Sequence, residues 1–338
     1  MTEISARAVA ADPDWLPHSY DASGALLVSV HVPRAERAAL TFLSDTYYEG
    51  RFAKATHPFV EIGSAPRRPA PAPLHFIWHT SFCCSTLLAK ALEIAGRTVS
   101  LREPDVLINL ANRFVRSEDS ANRQRLKLVL DLLARPYAPG ETVIVKPTNF
   151  ANRLVAPTLA ANPAGRAILL YSELPTLLLS LAKKGMAGRI WGRRLYAHLA
   201  AWTKLDFGFS AADTFQQTDL QIAGLTWLMQ IDHFARIGRE FGPARVMTID
   251  SARFMADKEA TLTAAAAWFG LDLTPARCAE IAAGPVFSRH SKFAQRDYSI
   301  EAREAEHAAA IAAYGEEIDK VVTWIDAVAA HCGVRTPI

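Results

Sequence analysis

Short, unbroken apolar runs alternate along this chain with longer stretches in which apolar residues recur every three to four positions. The runs at 74–78 (LHFIW), 98–101 (TVSL), 142–145 (TVIV), 167–171 (AILLY) and 245–249 (RVMTI) are rich in β-branched and aromatic side chains. They are too short for helices, and each predicts a strand buried on both faces. Between them, residues 104–116, 122–134, 149–161, 174–184, 222–241 and 259–269 carry helical spacing, and 301–330 predicts a long terminal helix. Pro136 and Gly140, Asn162-Pro163 and Gly270 punctuate these segments, and Pro175 suits a first helical turn. Strands alternating with helices predict an α/β fold: a three-layer parallel sheet with helices on both faces. In such sheets ligands bind outside the carboxyl ends of the strands.

Upstream, residues 25–32 predict one further strand and 33–48 a short helix. Residues 64–73 (SAPRRPAPAP) are proline-rich and mark a boundary. Residues 1–63 are therefore expected as a cap or oligomer-contact segment, and 74–338 as the α/β domain. Residues 204–219 have weak periodicity and are expected as a connection. Residues 284–298 look irregular, with Arg289, His290 and Lys292 close together.

Composition narrows the class. The chain has 338 residues, 50% hydrophobic and 21% charged, as soluble globular proteins do. A net charge of +3 gives no bulk argument for nucleic acid or a membrane surface, and no apolar run approaches the ~20 residues needed to span a bilayer. Cys83, Cys84, Cys278 and Cys332 form no disulfide framework, which favours a reducing compartment. The expectation is a cytoplasmic protein with no nucleic-acid or membrane partner. A homodimer is one expectation for its assembly.

The stretch 74–107 carries the chemistry. It reads as strand, loop, helix, strand, with loop 79–85 opening a helix, a natural seat for a phosphate. The nucleoside-triphosphate template G-x-x-x-x-G-K-[ST] keeps its length and final hydroxyl here, in His79, Thr80, Ser81, Phe82, Cys83, Cys84, Ser85 and Thr86. His79 and Cys84 stand where the glycines would be, and Ser85 replaces the lysine. No metal ligand set is expected. Polar groups follow the strands: His79, Arg102-Glu103, Lys146, Ser172-Glu173 and Asp250. Each also has a plain structural reading: Glu103 as a first-turn acid, Lys146 as a surface lysine, His79 as a satisfied histidine.

The run FIWHTSFCCSTLLAKAL resembles the 5′-phosphosulfate-binding loop of sulfotransferases that use 3′-phosphoadenosine 5′-phosphosulfate (PAPS). It is closest to bacterial sulfotransferase-like proteins and more distantly similar to the tyrosylprotein and trehalose sulfotransferases. The resemblance covers roughly residues 74–295 and implies a P-loop-containing, sulfotransferase-like architecture. It implies PAPS as donor, adenosine 3′,5′-bisphosphate as product, and a small-molecule or peptidyl hydroxyl as acceptor. It further implies Glu103, seventeen residues after Thr86, as general base and Lys146 as transition-state lysine, with His79 as an alternative cation or base. Family members carry an Arg eight residues before a Ser to grip the 3′-phosphate. Here Ser180 matches the Ser and Ser172 stands at the Arg position. Lys184 and Lys292 are further phosphate candidates, and residues 189–194 (RIWGRR) are a source of guanidinium groups. The alternatives are a non-catalytic nucleotide-binding or interaction module of the same fold, and a small-molecule kinase, against which the missing lysine at Ser85 argues.

Overall fold

The computed structural model describes residues 4–66, 71–288 and 300–336. The five apolar runs become five parallel strands: β4 (Leu74–His79), β5 (Thr98–Arg102), β6 (Thr142–Lys146), β7 (Ala167–Tyr171) and β8 (Val246–Asp250). Their order across the sheet is β5-β6-β4-β7-β8. The first crossover therefore leaves β4 toward β5, whereas the later ones run the other way. Right-handed crossovers place these on opposite faces and open a crevice at the end of β4. Side chains alternate accordingly. Ile77, Ile144, Ile168, Leu170 and Ile249 pack with Leu87 and Leu88 of the Ser85–Ala91 helix. Phe76, Trp78, Val143, Val145 and Leu169 pack on the other face with Val106, Leu110 and Val155. The expected α/β class, with helices on both faces of a parallel sheet, is the observed one.

Several elements differ from the pattern. A second, antiparallel sheet joins β1 (Trp15–Tyr20), β2 (Leu26–His31) and β3 (Lys54–Pro58). Pro17 hides β1, which tolerates it as an edge strand whose register shifts between Pro17 and Ser19. Residues 33–48 form two short helices, Arg34–Ala39 and Asp45–Tyr48, with a non-helical span between them. Residues 149–161 begin as a 3₁₀ helix (Asn149–Leu154) before the α-helix Val155–Ala161. The expected connection at 204–219 holds the helix Ala211–Gln216, started by a reciprocal cap between Ser210 and Asp213. Residues 189–194, read only as a basic run, lie within the helix Gly185–Ala200. Arg289, His290 and Lys292 lie outside the described residues.

The N-terminal segment shares the interior of the α/β unit: Val9, Leu16, Val30 and Leu43 belong to the same apolar cluster as Phe76 and Val143. Buried arginines fasten it there. Arg102, the last residue of β5, is 2% exposed. It donates to the carbonyls of Leu40 (2.8 Å), Ala38 (3.2 Å), Arg37 (3.3 Å) and Thr41 (3.4 Å) and pairs with Glu93. Arg135 likewise donates to the carbonyls of Val9 (2.6 Å), Asp12 (2.8 Å), Ala10 (3.2 Å) and Trp15. Such a guanidinium satisfies carbonyls that a buried loop would otherwise leave unpaired. No helix among the described residues is long and apolar enough to cross a membrane.

Two predictions follow from this packing. Arg102→Met strands Glu93 and several buried carbonyls, and should lower unfolding free energy by roughly 3 kcal/mol, measured by urea denaturation; a loss below ~1 kcal/mol would contradict the fastening role. Burial, with Arg166 nearby, pushes His75 down to about 4, and burial, with Arg153 and Arg236 nearby, does the same to His233. Both are neutral in the folded chain, while the unfolded chain protonates them as pH falls through about 6.5. Stability is therefore fully present above that pH and declines between about 6.5 and 4. A thermal midpoint unchanged from pH 7 to pH 5 would count against this.

Candidate functional site

β4 delivers the chain at His79 into a loop that turns into the Ser85–Ala91 helix. Among the described residues, five that are not glycine have positive φ: Glu49, Ser81 (+81°), Phe82 (+51°), Cys84 (+61°) and Glu103 (+52°). Three lie in this loop and a fourth, Glu103, directly follows β5. Each such residue costs about 1 kcal/mol or more and persists only where its surroundings enforce it. Cys84 stands at the second glycine position of the phosphate-loop spacing and adopts the left-handed conformation that glycine supplies there. It also begins the helix without a side-chain capping bond.

A buried polar network enforces the loop from below. His79 Nδ1 accepts from the Ser81 N–H (3.1 Å), and Nε2 donates to the Pro147 carbonyl (3.0 Å). With both ring nitrogens engaged, His79 holds the loop in shape. The Asn152 amide donates to the His79 carbonyl (3.1 Å) and the Gln230 amide to the Thr80 carbonyl (3.4 Å). Asn149 and Asn152 both donate to Gln230 Oε1 (3.2 and 3.3 Å). Ser172 is fully buried beneath the loop: its hydroxyl donates to the Ser81 carbonyl (3.4 Å), its N–H to Thr80 Oγ1 (3.4 Å), and its carbonyl accepts from the Trp227 indole (2.8 Å). Here Ser172, expected at a phosphate, supports the loop from beneath. The buried Cys83 thiol donates to the Leu170 carbonyl (3.4 Å), and burial pushes its pKa up to about 11. Ser85 and Thr86 are also buried, in the first helical turn.

Phe82 alone of the loop's large side chains turns toward the helix Gly185–Ala200, where it meets Trp191 edge-on at 5.4 Å. Phe150 meets the same indole at 6.1 Å, and the Lys184 ammonium lies 5.7 Å from the Phe82 ring centre. Ser180 is half-buried in the last turn of the Leu174–Ala182 helix, with Lys184 exposed just beyond. Arg189 and Arg193 pair with Asp219 (3.6 and 2.5 Å), so these two guanidinium groups are committed to the start of the Asp219–Phe241 helix.

The carboxyl ends of β5 and β6 bring Glu103 and Lys146 together. Arg102 is in register with Lys146, and the Glu103 N–H extends the ladder by donating to the Lys146 carbonyl (2.6 Å). The left-handed turn at Glu103 then swings its carboxylate back onto the Lys146 ammonium, which bonds it directly. Lys146 is 1% exposed, whereas the Glu103 side chain is 21% exposed. The positive charge is thus sheltered and its carboxylate partner accessible. Lys146 lies close enough to Cys83 for its charge to be felt at the thiol, which puts the pair beside the loop. Lys292 lies outside the described residues.

One group of donors close enough for a cation is found among the described residues. His18, Asp45 and Asp105 bring three ligand atoms within 4.8 Å of one another. Asp45 is already bonded by His18 (3.0 Å) and Lys54 (2.7 Å), so the group reads as an ion-pair network between β1, the Asp45–Tyr48 helix and the Asp105–Arg116 helix.

Sequence reasoning missed Asn149, Asn152, Gln230, Phe42 and Tyr47. Gln230 carried a usable signal, since it is a polar residue on the buried side of an otherwise apolar helix. Phe42 and Tyr47 carried none, because only tertiary packing brings residues 41–48 to β5.

No family model matches the chain, and no curated protein matches it. Among solved structures it is similar to the sulfotransferase domain from the curacin biosynthetic pathway, at 12% identity over 66% of this chain and 82% of that one, with a TM-score of 0.43. It is also similar to a sulfotransferase from Alicyclobacillus acidocaldarius (14% identity, 73% and 96% covered, TM-score 0.38). A sulfotransferase from Mycobacterium avium is a third (12%, 82% and 83%, TM-score 0.39). Identities and scores of this size carry nothing about activity to this chain.

Proposed function

We propose that the chain is a sulfotransferase-like enzyme that moves a sulfuryl group from PAPS to a hydroxyl without a metal. The observation that carries this reading is the pairing of Glu103 with the buried Lys146 ammonium, beside a glycine-free loop held in left-handed turns. A partly exposed base, a sheltered cation and a set of backbone N–H groups are what sulfuryl transfer asks of a protein.

The residues present fit the donor unevenly. Consecutive left-handed turns make a concave set of N–H groups suited to an anion, which supports binding of the phosphosulfate end. Phe82, Trp191 and Phe150 offer aromatic surface next to it. At the 3′-phosphate end Ser172 is buried, which leaves Ser180 and Lys184 as the groups to hold that phosphate. PAPS, when bound, supplies the activated sulfuryl group. Glu103 takes the proton of the acceptor hydroxyl as its oxygen forms the new bond to sulfur. The bond from sulfur to the 5′-phosphate oxygen breaks, and Lys146 with the loop N–H groups stabilises the charge that develops there. Adenosine 3′,5′-bisphosphate leaves. His79 keeps the loop in shape throughout and moves no proton.

Calorimetric titration with adenosine 3′,5′-bisphosphate should show binding that is the same with magnesium and with EDTA. No binding to it, together with tight magnesium-ATP binding, would replace this reading with the kinase. With labelled PAPS and an acceptor found by screening, Glu103→Gln should lower kcat by roughly 10²–10⁴ while bisphosphate affinity stays within twofold. Undiminished turnover in that variant would remove Glu103 as the base.

A further inference from the structure

The accessible side of the Glu103/Lys146 pair is built by the N-terminal segment. Phe42 lays its ring over Lys146, with the ammonium 5.1 Å from the ring centre. Tyr47 stands edge-on to Phe42, with ring centres 5.2 Å apart and planes at 88°. Burial, and then the charge of Glu103, raises the Tyr47 hydroxyl above its ordinary pKa, so that hydroxyl lies within electrostatic reach of the carboxylate. Phe42, Tyr47 and Glu103 are each partly exposed, in contrast to Lys146. A molecule arriving at the carboxylate therefore meets two aromatic rings.

These rings are held in place by backbone. The Leu43 N–H donates to the Arg102 carbonyl (2.7 Å), and the Asp105 N–H donates to the Leu43 carbonyl (3.2 Å). Leu43 thus brackets Glu103 from both sides, and Phe42 is its immediate neighbour. The charge of the surroundings is also informative. Asp105 lies two residues from Glu103, and its carboxyl is raised chiefly by burial and further by the Asp45 and Glu103 carboxylates, against the opposing pull of the Asp45 N–H and His18. A second negative charge brought in with an acceptor would meet the same repulsion.

From this placement we infer that Phe42 and Tyr47 form the acceptor wall of the site, and that the acceptor is an uncharged hydroxyl compound carried on a flat, apolar ring. The inference rests on the sulfuryl-transfer reading for its chemistry, but the wall can be tested without turnover. Flat rings gain from edge and face contacts with aromatic side chains, and neither Phe42 nor the Tyr47 ring offers hydrogen bonds to a polyol's many hydroxyls.

The test is equilibrium binding of 2-naphthol, followed by its own fluorescence, alongside calorimetry of adenosine 3′,5′-bisphosphate on the same samples. Wild-type protein should bind 2-naphthol, and 6-hydroxy-2-naphthoate, the same ring with a carboxylate, should bind at least tenfold more weakly. Phe42→Ala and Tyr47→Ala should each weaken 2-naphthol about tenfold, whereas Tyr47→Phe, which keeps the ring, should stay within threefold of wild type. Circular dichroism melting checks that each variant is folded, and Tyr47→Ala keeps the test decisive should Phe42→Ala fail to fold. Unchanged 2-naphthol affinity in both alanine variants, or no 2-naphthol binding by a protein that binds the bisphosphate, would overturn the wall. The expected naphthol pattern without bisphosphate binding would uphold the wall and remove the donor reading instead.

Discussion

A guanidinium buried at the end of a strand has to be surrounded by acceptors, and the way this chain surrounds Arg102 organises much of what lies around it. Four carbonyls from residues 37–41 converge on that one side chain, together with the Glu93 carboxylate. These carbonyls come from the last turn of the Arg34–Ala39 helix and the non-helical break just after it, where the helical ladder leaves carbonyls without partners. The arrangement is thus reciprocal: the arginine gives the break its shape, and the break makes burial of the arginine tolerable. Because the break is fixed against β5, Leu43 can bracket Glu103, and Glu103 can be held in a left-handed turn that a carboxylate-bearing residue does not favour. The direction of that carboxylate, toward Lys146, is a consequence of how the N-terminal segment is anchored.

The loop after β4 solves the same problem by other means. A glycine-rich turn reaches left-handed backbone conformations without steric conflict. Here Ser81, Phe82 and Cys84 reach them against a local penalty, offset by bonds from Asn152, Gln230, His79 and Ser172 to loop backbone atoms. Most of the loop's residues are consequently buried, with Phe82 and Cys84 partly exposed. This reconciles a sequence that lacks the glycines and the lysine of a triphosphate loop with a backbone that still adopts left-handed turns at Ser81, Phe82 and Cys84.

How much of this was legible in the sequence depended on how local each cause is. The five parallel strands and most of the long helices follow from apolar runs and helical spacing. Glu103 and Lys146 were legible as strand-end polar residues, because a parallel sheet puts all such ends on one edge. Their mutual bond was not, since it needs the register of β5 on β6 and the unusual turn at Glu103. Ser172 looked like a ligand group because it follows a strand, yet strand-end residues can be buried when a neighbouring loop folds over them, as residues 79–84 do. β1 was obscured by Pro17 and β3 by its polar composition, KATHP, both tolerated at the edges of a small antiparallel sheet. Phe42 and Tyr47 lie more than fifty residues from the carboxylate they flank, beyond the reach of any sequence periodicity.

The glycine-free loop has a thermodynamic consequence for association. A flexible, glycine-rich cradle surrenders conformational entropy when an anion orders it, and that loss subtracts from affinity. In this chain the loop's dihedral angles are already restricted by side chains bearing a Cβ and by the amides beneath them, so the ordering belongs to folding. For the phosphosulfate proposed to bind there, the entropy of association would come from the ligand and from released water, with little contribution from the protein backbone.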